Sequence, residues 1–412
     1  MKRRVVVTGM GAITPIGNDA HSFWENAKSG TNGIGHITRF DTEGFKAKLA
    51  AEVKNFVPED YMPAKEVKRA DVFTQYALAA AELAIIDSAL DTQSINPEQI
   101  GVFVGSGIGG LGMIEEQVLR MEQKGPGRVS PMFIPMVIAN MASGSIAMRY
   151  GAKGIASAVV TACAAGNNSI GEAFRYIKHG YAQAVLAGGS ESTITKIGVA
   201  GFSNLTALSF SQEPERASIP FDKERNGFVM GEGAGILVME EAGAAKARGA
   251  RIYAEVAGYG ANCDSYHMTA PDPEGAGAAR AMQLAMEEAG IEPADIGYIN
   301  AHGTSTPAND IAETLAIRSV FGKSAEDVLI SSTKSMTGHL LGATGAVESI
   351  AAIMAIVEGI APPTIGYRVP DPACDLNYTP NKSIKRYINA SLNNSFGFGG
   401  HNAVLCFKRW EE

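Results

Sequence analysis

Two stretches decide the fold: AAAELAIIDSALDTQSINPEQIGVFVGSGIGG at residues 79–110 and AARAMQLAMEEAGIEPADIGYINAHGTSTP at residues 278–307. Each opens with helical spacing of small and apolar residues, passes an Ile-x-Pro-x-x-Ile-Gly linker, enters a short apolar run and ends in a loop of small residues. Ile95 falls on Ile291, and Ile100 on Ile296. A second pair follows: ASAVVTACAAGNNSIGEAFRYIKHG at 156–180 and DVLISSTKSMTGHLLGATGAVESIAAIMAIVEG at 327–359, each a strand feeding a small-residue turn and then a helix. The chain reads as one α/β unit used twice, with largely buried sheets. A new strand over Arg251–Ala257 starts the second copy, so residues 1–250 and 251–412 form the two halves. No Pro- or Ser-rich linker divides them, which predicts packing as one body. Residues 105–150 and 190–230 are extra material in the first half, available for dimer contacts or pocket lids.

Composition agrees with a large folded body. Of 412 residues, 46% are hydrophobic and 19% charged, enough apolar surface to offset chain entropy, so disorder as the main state is excluded. The 47 glycines lack a three-residue period, and their excess points to tight turns and close backbone approaches. The formal net charge of −8 leaves no basic footprint for nucleic acid. Four scattered cysteines, with no CxxC spacing, suit a reducing, cytoplasmic address. The basic start MKRRVVVTGMG mimics a signal peptide, but Gly9, Gly11 and Pro15 break its apolar run, and no uninterrupted apolar stretch approaches the length of a membrane span. The chain is therefore expected to be soluble, with no membrane insertion.

Cys163, in Val159-Val160-Thr161-Ala162-Cys163-Ala164-Ala165-Gly166, lies between a strand and a helix starting near Ala165. A thiol at a helix N-terminus meets the positive end of the dipole and unpaired N–H groups, which favour a thiolate and can hold an oxyanion. Packing alone would equally account for a cysteine, and does so for Cys263, Cys374 and Cys406. His302, in Asn300-Ala301-His302-Gly303-Thr304, and His339, in Met336-Thr337-Gly338-His339, occupy glycine-flanked turns after strands. If the halves pack about a pseudo-dyad, these turns and that of Cys163 converge on one cleft. No metal-ligand spacing such as His-Glu-x-x-His is present, so no metal is assigned. Lys334, at a strand end, needs an acidic partner if buried, and Asp310 and Glu313 are the candidates. The glycines of Val7–Pro15 follow a strand as a dinucleotide fingerprint would, but Thr14 stands at the third glycine position. Phe396 and Phe398, in Ser395–Asn402, would wall an apolar tunnel.

TACAAG around Cys163, PFDKERNGFVMGEGAG at 220–235, AHGTSTP around His302, STKSMTGHLLGATG at 332–345 and NSFGFGG at 394–400 together resemble the β-ketoacyl-[acyl carrier protein] synthases, and most closely the elongating synthase II branch. The resemblance spans essentially the whole chain. It implies an α/β, thiolase-like duplicated fold in five layers, αβαβα, acting as a homodimer. It also implies decarboxylative Claisen condensation: acyl transfer to Cys163, then decarboxylation of malonyl carrier protein with His302 and His339 stabilising the enolate. The oxyanion of the acyl group would be held by backbone N–H groups of Cys163 and Phe398. Lys334, paired with Glu313 by resemblance, would support the histidines electrostatically. Thr304 and Thr306 match positions that hold the phosphopantetheine arm; Phe202, Ile108 and Phe398 match those lining or gating the acyl tunnel. No cofactor is implied beyond the phosphopantetheine that arrives on the carrier protein.

Acyl carrier proteins are acidic, so docking calls for a basic rim. Lys65, Lys68 and Arg69, with Lys124 and Arg128, are the candidates, while Asn204-Leu205-Thr206 lacks the basic residue some relatives carry. Two other readings stay open: a non-catalytic chain-length partner, disfavoured by the intact Cys and His set, and a Cys-His hydrolase, which would need water at Cys163.

Overall fold

The computed structural model describes residues 3–411. Its main sheet has ten strands, numbered along the chain: β1 (Val5–Ile13), β2 (Ile100–Gly105), β3 (Ala156–Ser157), β4 (Ala184–Glu191), β5 (Gly233–Glu241), β6 (Ala254–Cys263), β7 (Ile296–Asn300), β8 (Leu329–Ser331), β9 (Ala390–Gly397) and β10 (His401–Lys408). Their spatial order is β8-β7-β9-β10-β6-β1-β5-β4-β2-β3. The first five strands lie as β1-β5-β4-β2-β3 and the second five as β6-β10-β9-β7-β8, the same order with five added to each number. Directions repeat as well: β1·β5 and β6·β10 are antiparallel, as are β5·β4 and β10·β9, while β4·β2·β3 and β9·β7·β8 are parallel. The two fives join edge to edge only where Val5–Val7 pair with Ala254–Val256.

Seven helices matter to the argument: α1 (Val72–Ser88), α2 (Leu111–Lys124), α3 (Ala165–Lys178), α4 (Lys196–Asn204), α5 (Ala276–Ala289), α6 (Pro307–Phe321) and α7 (Thr344–Glu358). The period-2 geometry of the strands sorts their side chains between two layers. In β2, Phe103 faces the centre with Ile170 of α3 and Ile350 of α7, while Val102 and Val104 face outward with Ala77 and Ala80 of α1. In β10, Leu405 faces the centre while Val404 and Cys406 join Met282 of α5 and Ile317 of α6. The layers are therefore α1, first sheet, α3 with α7, second sheet, α5 with α6: the five-layered αβαβα arrangement the sequence predicted.

Close strand–helix packing repeats too. A Cβ on Gly9 or Gly11 of β1 would sit 2.3 or 2.0 Å from the carbonyl oxygens of Ala84 and Ala80 in α1. In the second half a Cβ on Gly258 or Gly260 of β6 would sit 2.0 Å from those of Ala285 and Ala281 in α5. The glycines of the apparent dinucleotide fingerprint thus lie inside a strand and admit a helix backbone.

Leu341–Glu358 is an 18-residue stretch that by length and composition alone could cross a membrane, although Thr344, Glu348 and Ser349 keep it from being uninterruptedly apolar. It is 83% buried, because the central layer has a sheet on each side and no polar face to present.

Candidate active site

The strand ends of both halves open on one cavity of about 430 Å³, lined by Cys163, His302, His339, Thr304, Phe396 and Phe398 among others. Cys163 sits in a single 3₁₀ turn, Ala162–Ala164, that leads into α3. Ala162 has φ +49°, an unfavourable conformation for a residue with a Cβ. That bend presents the next residue to the cavity while leaving its N–H free. The backbone N–H groups of Phe398 and of Cys163 itself both reach the sulfur.

The thiol is 8% exposed, and burial pushes it up to about 12 against the lowering effect of the Lys334 ammonium. The carboxylate of Glu191 raises it further, and the two N–H groups lower it. Burial outweighs the lowering by Lys334 and the two N–H groups, so the thiol rests above its ordinary value.

His302 follows β7. Its N–H and that of Gly303 both donate to the carboxylate of Glu313 at 2.8 Å, and Asn394 donates to the same group at 3.0 Å. His339 is fixed by its backbone: its N–H donates to Val229 O at 2.7 Å, and its carbonyl accepts from Gly231 N–H at 2.8 Å. Phe228 packs edge-on against its ring, with centroids 5.2 Å apart. This explains the 220–235 motif, whose Phe228–Gly231 portion forms a cradle for His339. The rings of His302 and His339 meet edge-to-face at 5.4 Å.

The tautomer of His339 follows from its partners. Leu341 N–H donates to Nδ1 at 3.3 Å, and Thr344 Oγ1 lies 2.9 Å from the same nitrogen. Nδ1 is an acceptor, so in the neutral ring Nε2 carries the proton. Burial holds both imidazoles well below their ordinary range, and the Lys334 ammonium lowers them further. Both rings are neutral at physiological pH.

Lys334 is 1% exposed, and its Nζ lies 2.6 Å from Oε1 of Glu348 on α7. This overturns the pairing with Glu313 and the alternative with Asp310. Glu313 is spent on the backbone of the His302 turn, and Asp310 faces Arg225 at 3.5 Å and accepts from Phe221 N–H at 2.8 Å. Burial raises the Glu348 carboxyl to about 7, opposed by Lys334. The signal for Glu348 was present: a single carboxylate in the otherwise apolar run 340–357 has to find a cation.

Thr304 and Thr306 line the cavity with their hydroxyls 2.8 Å apart. Phe202 and Phe398 line it too, their rings 6.5 Å apart, and Phe396 packs on His302 at 5.4 Å. Ile108 is not in the lining: its side chain is 38% exposed, because its N–H turns inward to Glu191 and the Cβ points out. Lys65, Lys68, Arg69, Lys124 and Arg128 are exposed, and none lines the cavity. Thr206, at the position where a basic residue was missed, does line it.

A duplicated five-layer α/β body with one cysteine and two neutral imidazoles in a shared apolar cavity defines the thiolase-like class. The family model for the β-ketoacyl synthase N-terminal domain matches residues 2–245, and that for the C-terminal domain matches residues 253–368. The chain belongs to the β-ketoacyl synthase family. It is 52% identical over 411 residues to 3-oxoacyl-[acyl-carrier-protein] synthase 2 of Synechocystis sp., covering 100% of this chain and 99% of that one. Identity to the protein of the same name from Staphylococcus aureus is 54% over 409 residues, covering 99% of each. Among solved structures, a type II polyketide ketosynthase complex with its acyl carrier protein matches with a TM-score of 0.93 at 37% identity, covering 100% of both chains. A β-ketoacyl synthase from Burkholderia phymatum matches with a TM-score of 0.92 at 36% identity, again covering 100% of both.

Proposed function

We propose that this chain condenses an acyl group carried on acyl carrier protein with malonyl carrier protein, giving 3-oxoacyl carrier protein and carbon dioxide in fatty-acid elongation. The observation that carries this is the joint placement, in one cavity, of a cysteine faced by two backbone N–H groups and of two imidazoles held neutral.

Each step suits the resting protonation states. Cys163 begins as a thiol, and its proton passes to the departing phosphopantetheine sulfur, so acyl transfer consumes no net proton. The new thioester oxygen lies toward the N–H groups of Cys163 and Phe398, donors already in place before charge develops. Loss of carbon dioxide from malonyl then leaves an enolate oxygen, which receives hydrogen bonds from His302 and from Nε2–H of His339. The carbanion attacks the acyl carbonyl, and collapse of the tetrahedral oxyanion releases Cys163 as a thiolate, which takes up one proton from water to return to the resting thiol. Neutral imidazoles serve as donors without an acid–base cycle. Lys334, counterbalanced by Glu348, is a positioning residue that keeps those rings unprotonated.

Thr304 and Thr306 receive the amide-bearing phosphopantetheine arm, and Phe202, Phe396 and Phe398 wall the apolar side. No cofactor is required, since that arm arrives on the carrier. A homodimer in the cytoplasm completes the reading, with residues 1–250 and 251–412 as its two structural units and the exposed basic residues of the first half meeting the acidic carrier.

The test is incubation with long-chain acyl carrier protein and malonyl carrier protein. Carbon dioxide in equal amount to a 3-oxoacyl product two carbons longer is expected; release of free acid alone would replace this reading with hydrolysis.

A further inference from the structure

Glu191, the last residue of β4, is fully buried and has no cationic partner among the described residues. Glu232 has Arg39, Glu240 has Arg248 and Glu348 has Lys334, whereas Glu313, like Glu191, is held by neutral hydrogen-bond donors alone. Four donors converge on Glu191. From the turn after β2 come Ser106 Oγ–H at 2.9 Å, Gly107 N–H at 2.7 Å and Ile108 N–H at 3.3 Å. From the other half comes Gly342 N–H at 3.0 Å, in the turn Leu341–Ala343. That turn packs against the turn of Cys163 and carries the Leu341 N–H that fixes the tautomer of His339.

The two glycines involved cannot be larger. A Cβ on Gly107 would lie 2.7 Å from Glu191 Oε2, and one on Gly342 would lie 2.3 Å from Gly107 N and 2.8 Å from Glu191 Oε2. The carboxylate therefore fills the space between the Ser106–Ile108 turn of the first half and the Leu341–Ala343 turn of the second. Burial raises the Glu191 carboxyl above its ordinary range, and the Ser106 hydroxyl and the three N–H groups oppose that rise.

We propose that Glu191 is a positioning residue for Cys163: it clamps the Ser106–Ile108 turn onto the Leu341–Ala343 turn, setting the nucleophile against the imidazoles. The proposal deepens the reading above and rests on it for the acyl-transfer step. Two substitutions test the clamp. Glu191→Gln keeps the length but turns an NH₂ toward two of the four donors. Glu191→Asp keeps the carboxyl but withdraws it from the backbone.

Two quantities are measured on the full-length protein: kcat and KM for acyl loading from acyl carrier protein, and the pH midpoint for alkylation of Cys163 by iodoacetamide. Both variants are expected to lose about tenfold or more in kcat with KM within about twofold. The alkylation midpoint should stay within about 0.5 pH unit of wild type in both variants, since burial of the sulfur sets it and the clamp does not. A midpoint that falls in both variants, as general loosening that exposes the sulfur would give, or wild-type loading in Glu191→Gln, overturns the proposal. Should Glu191→Gln fail to fold, Ser106→Ala removes one donor only; it should slow loading about threefold with the midpoint unmoved, and unchanged loading there overturns the clamp. Wild-type protein that loads no acyl group would sink the proposed function instead, leaving the alkylation comparison intact.

Discussion

The two halves share a ladder and divide the chemistry. In the first, the turn before α3 holds Ala162 at φ +49° and then Cys163; in the second, the turn before α7 holds Leu341 at φ +49° and then Gly342. The backbone makes the same bend twice, yet only one copy can present a side chain, because a Cβ at Gly342 would meet Gly107 N at 2.3 Å. In the other pair of turns the imbalance runs the opposite way: His302 stands after β7 where the quoted repeat puts Ser106 after β2. Duplication supplies a cleft with two facing sets of strand ends, and asymmetric side chains make one set the acyl acceptor and the other the donor wall.

The strongest way to break that division is to remove the nucleophile. Cys163→Ala should abolish the acyl-enzyme, with no mass increment on the protein after incubation with acyl carrier protein and condensation down by at least about 10³-fold. Cys263, Cys374 and Cys406 should not substitute, since none of them lines the cavity. An acylated Cys163→Ala protein would refute the assignment.

The donor wall is tested next. His302→Ala and His339→Ala should each slow carbon dioxide release from malonyl carrier protein by about 10²–10³-fold, the usual effect of deleting one preformed oxyanion donor. Acyl loading should survive in both. Normal carbon dioxide release in both variants would take the histidines out of the reaction.

A smaller effect concerns pH and stability. Because burial, aided by Lys334, depresses the folded-state pKa of both imidazoles well below 6.5, the unfolded chain takes up protons first as pH falls. The contribution is present above about pH 6.5 and is lost below it, with a slope of up to about 1.4 kcal/mol per pH unit for each histidine. Denaturant unfolding of wild type and of His302→Asn/His339→Asn between pH 7.5 and 5 should show a shallower slope in the double variant. Parallel slopes would mean that the rings titrate alike folded and unfolded.

These outcomes bear on what could be read from the chain alone. The repeat was legible because each copy carries its own periodic helix, Ile-x-Pro-x-x-Ile-Gly linker and strand, all local signals. Strand order was not, since the neighbours β1 and β5, or β6 and β10, are set by contacts between distant segments. Cys163, His302 and His339 stood out as reactive side chains in small-residue turns after strands. The buried charges did not: Glu348 lies 14 residues beyond Lys334 on another element, and Glu191 looks like any acidic strand end until four donors are seen around it. Ile108 donates its N–H to Glu191 and leaves its side chain 38% exposed, outside the lining of the cavity at Cys163.

The smallest effect sharpens the comparison at the surface. Every docking candidate, Lys65, Lys68, Arg69, Lys124 and Arg128, belongs to the first half and is exposed, and none lines the cavity, whose walls come from both halves, Thr206 from the first and Asp264, Thr269 and Pro307 from the second. An exposed cation contributes about 0.2–1 kcal/mol to an ion pair and acts mainly on the rate of encounter. Lys68→Ala or Arg69→Ala should therefore raise KM for acyl carrier protein about 1.5- to 5-fold at low salt with kcat unchanged. The difference from wild type should shrink as ionic strength approaches 1 M, where charges farther apart than about 3 Å are screened. A kcat effect, or one indifferent to salt, would place these residues in the reaction itself and erase the division between a steering half and a reacting cleft.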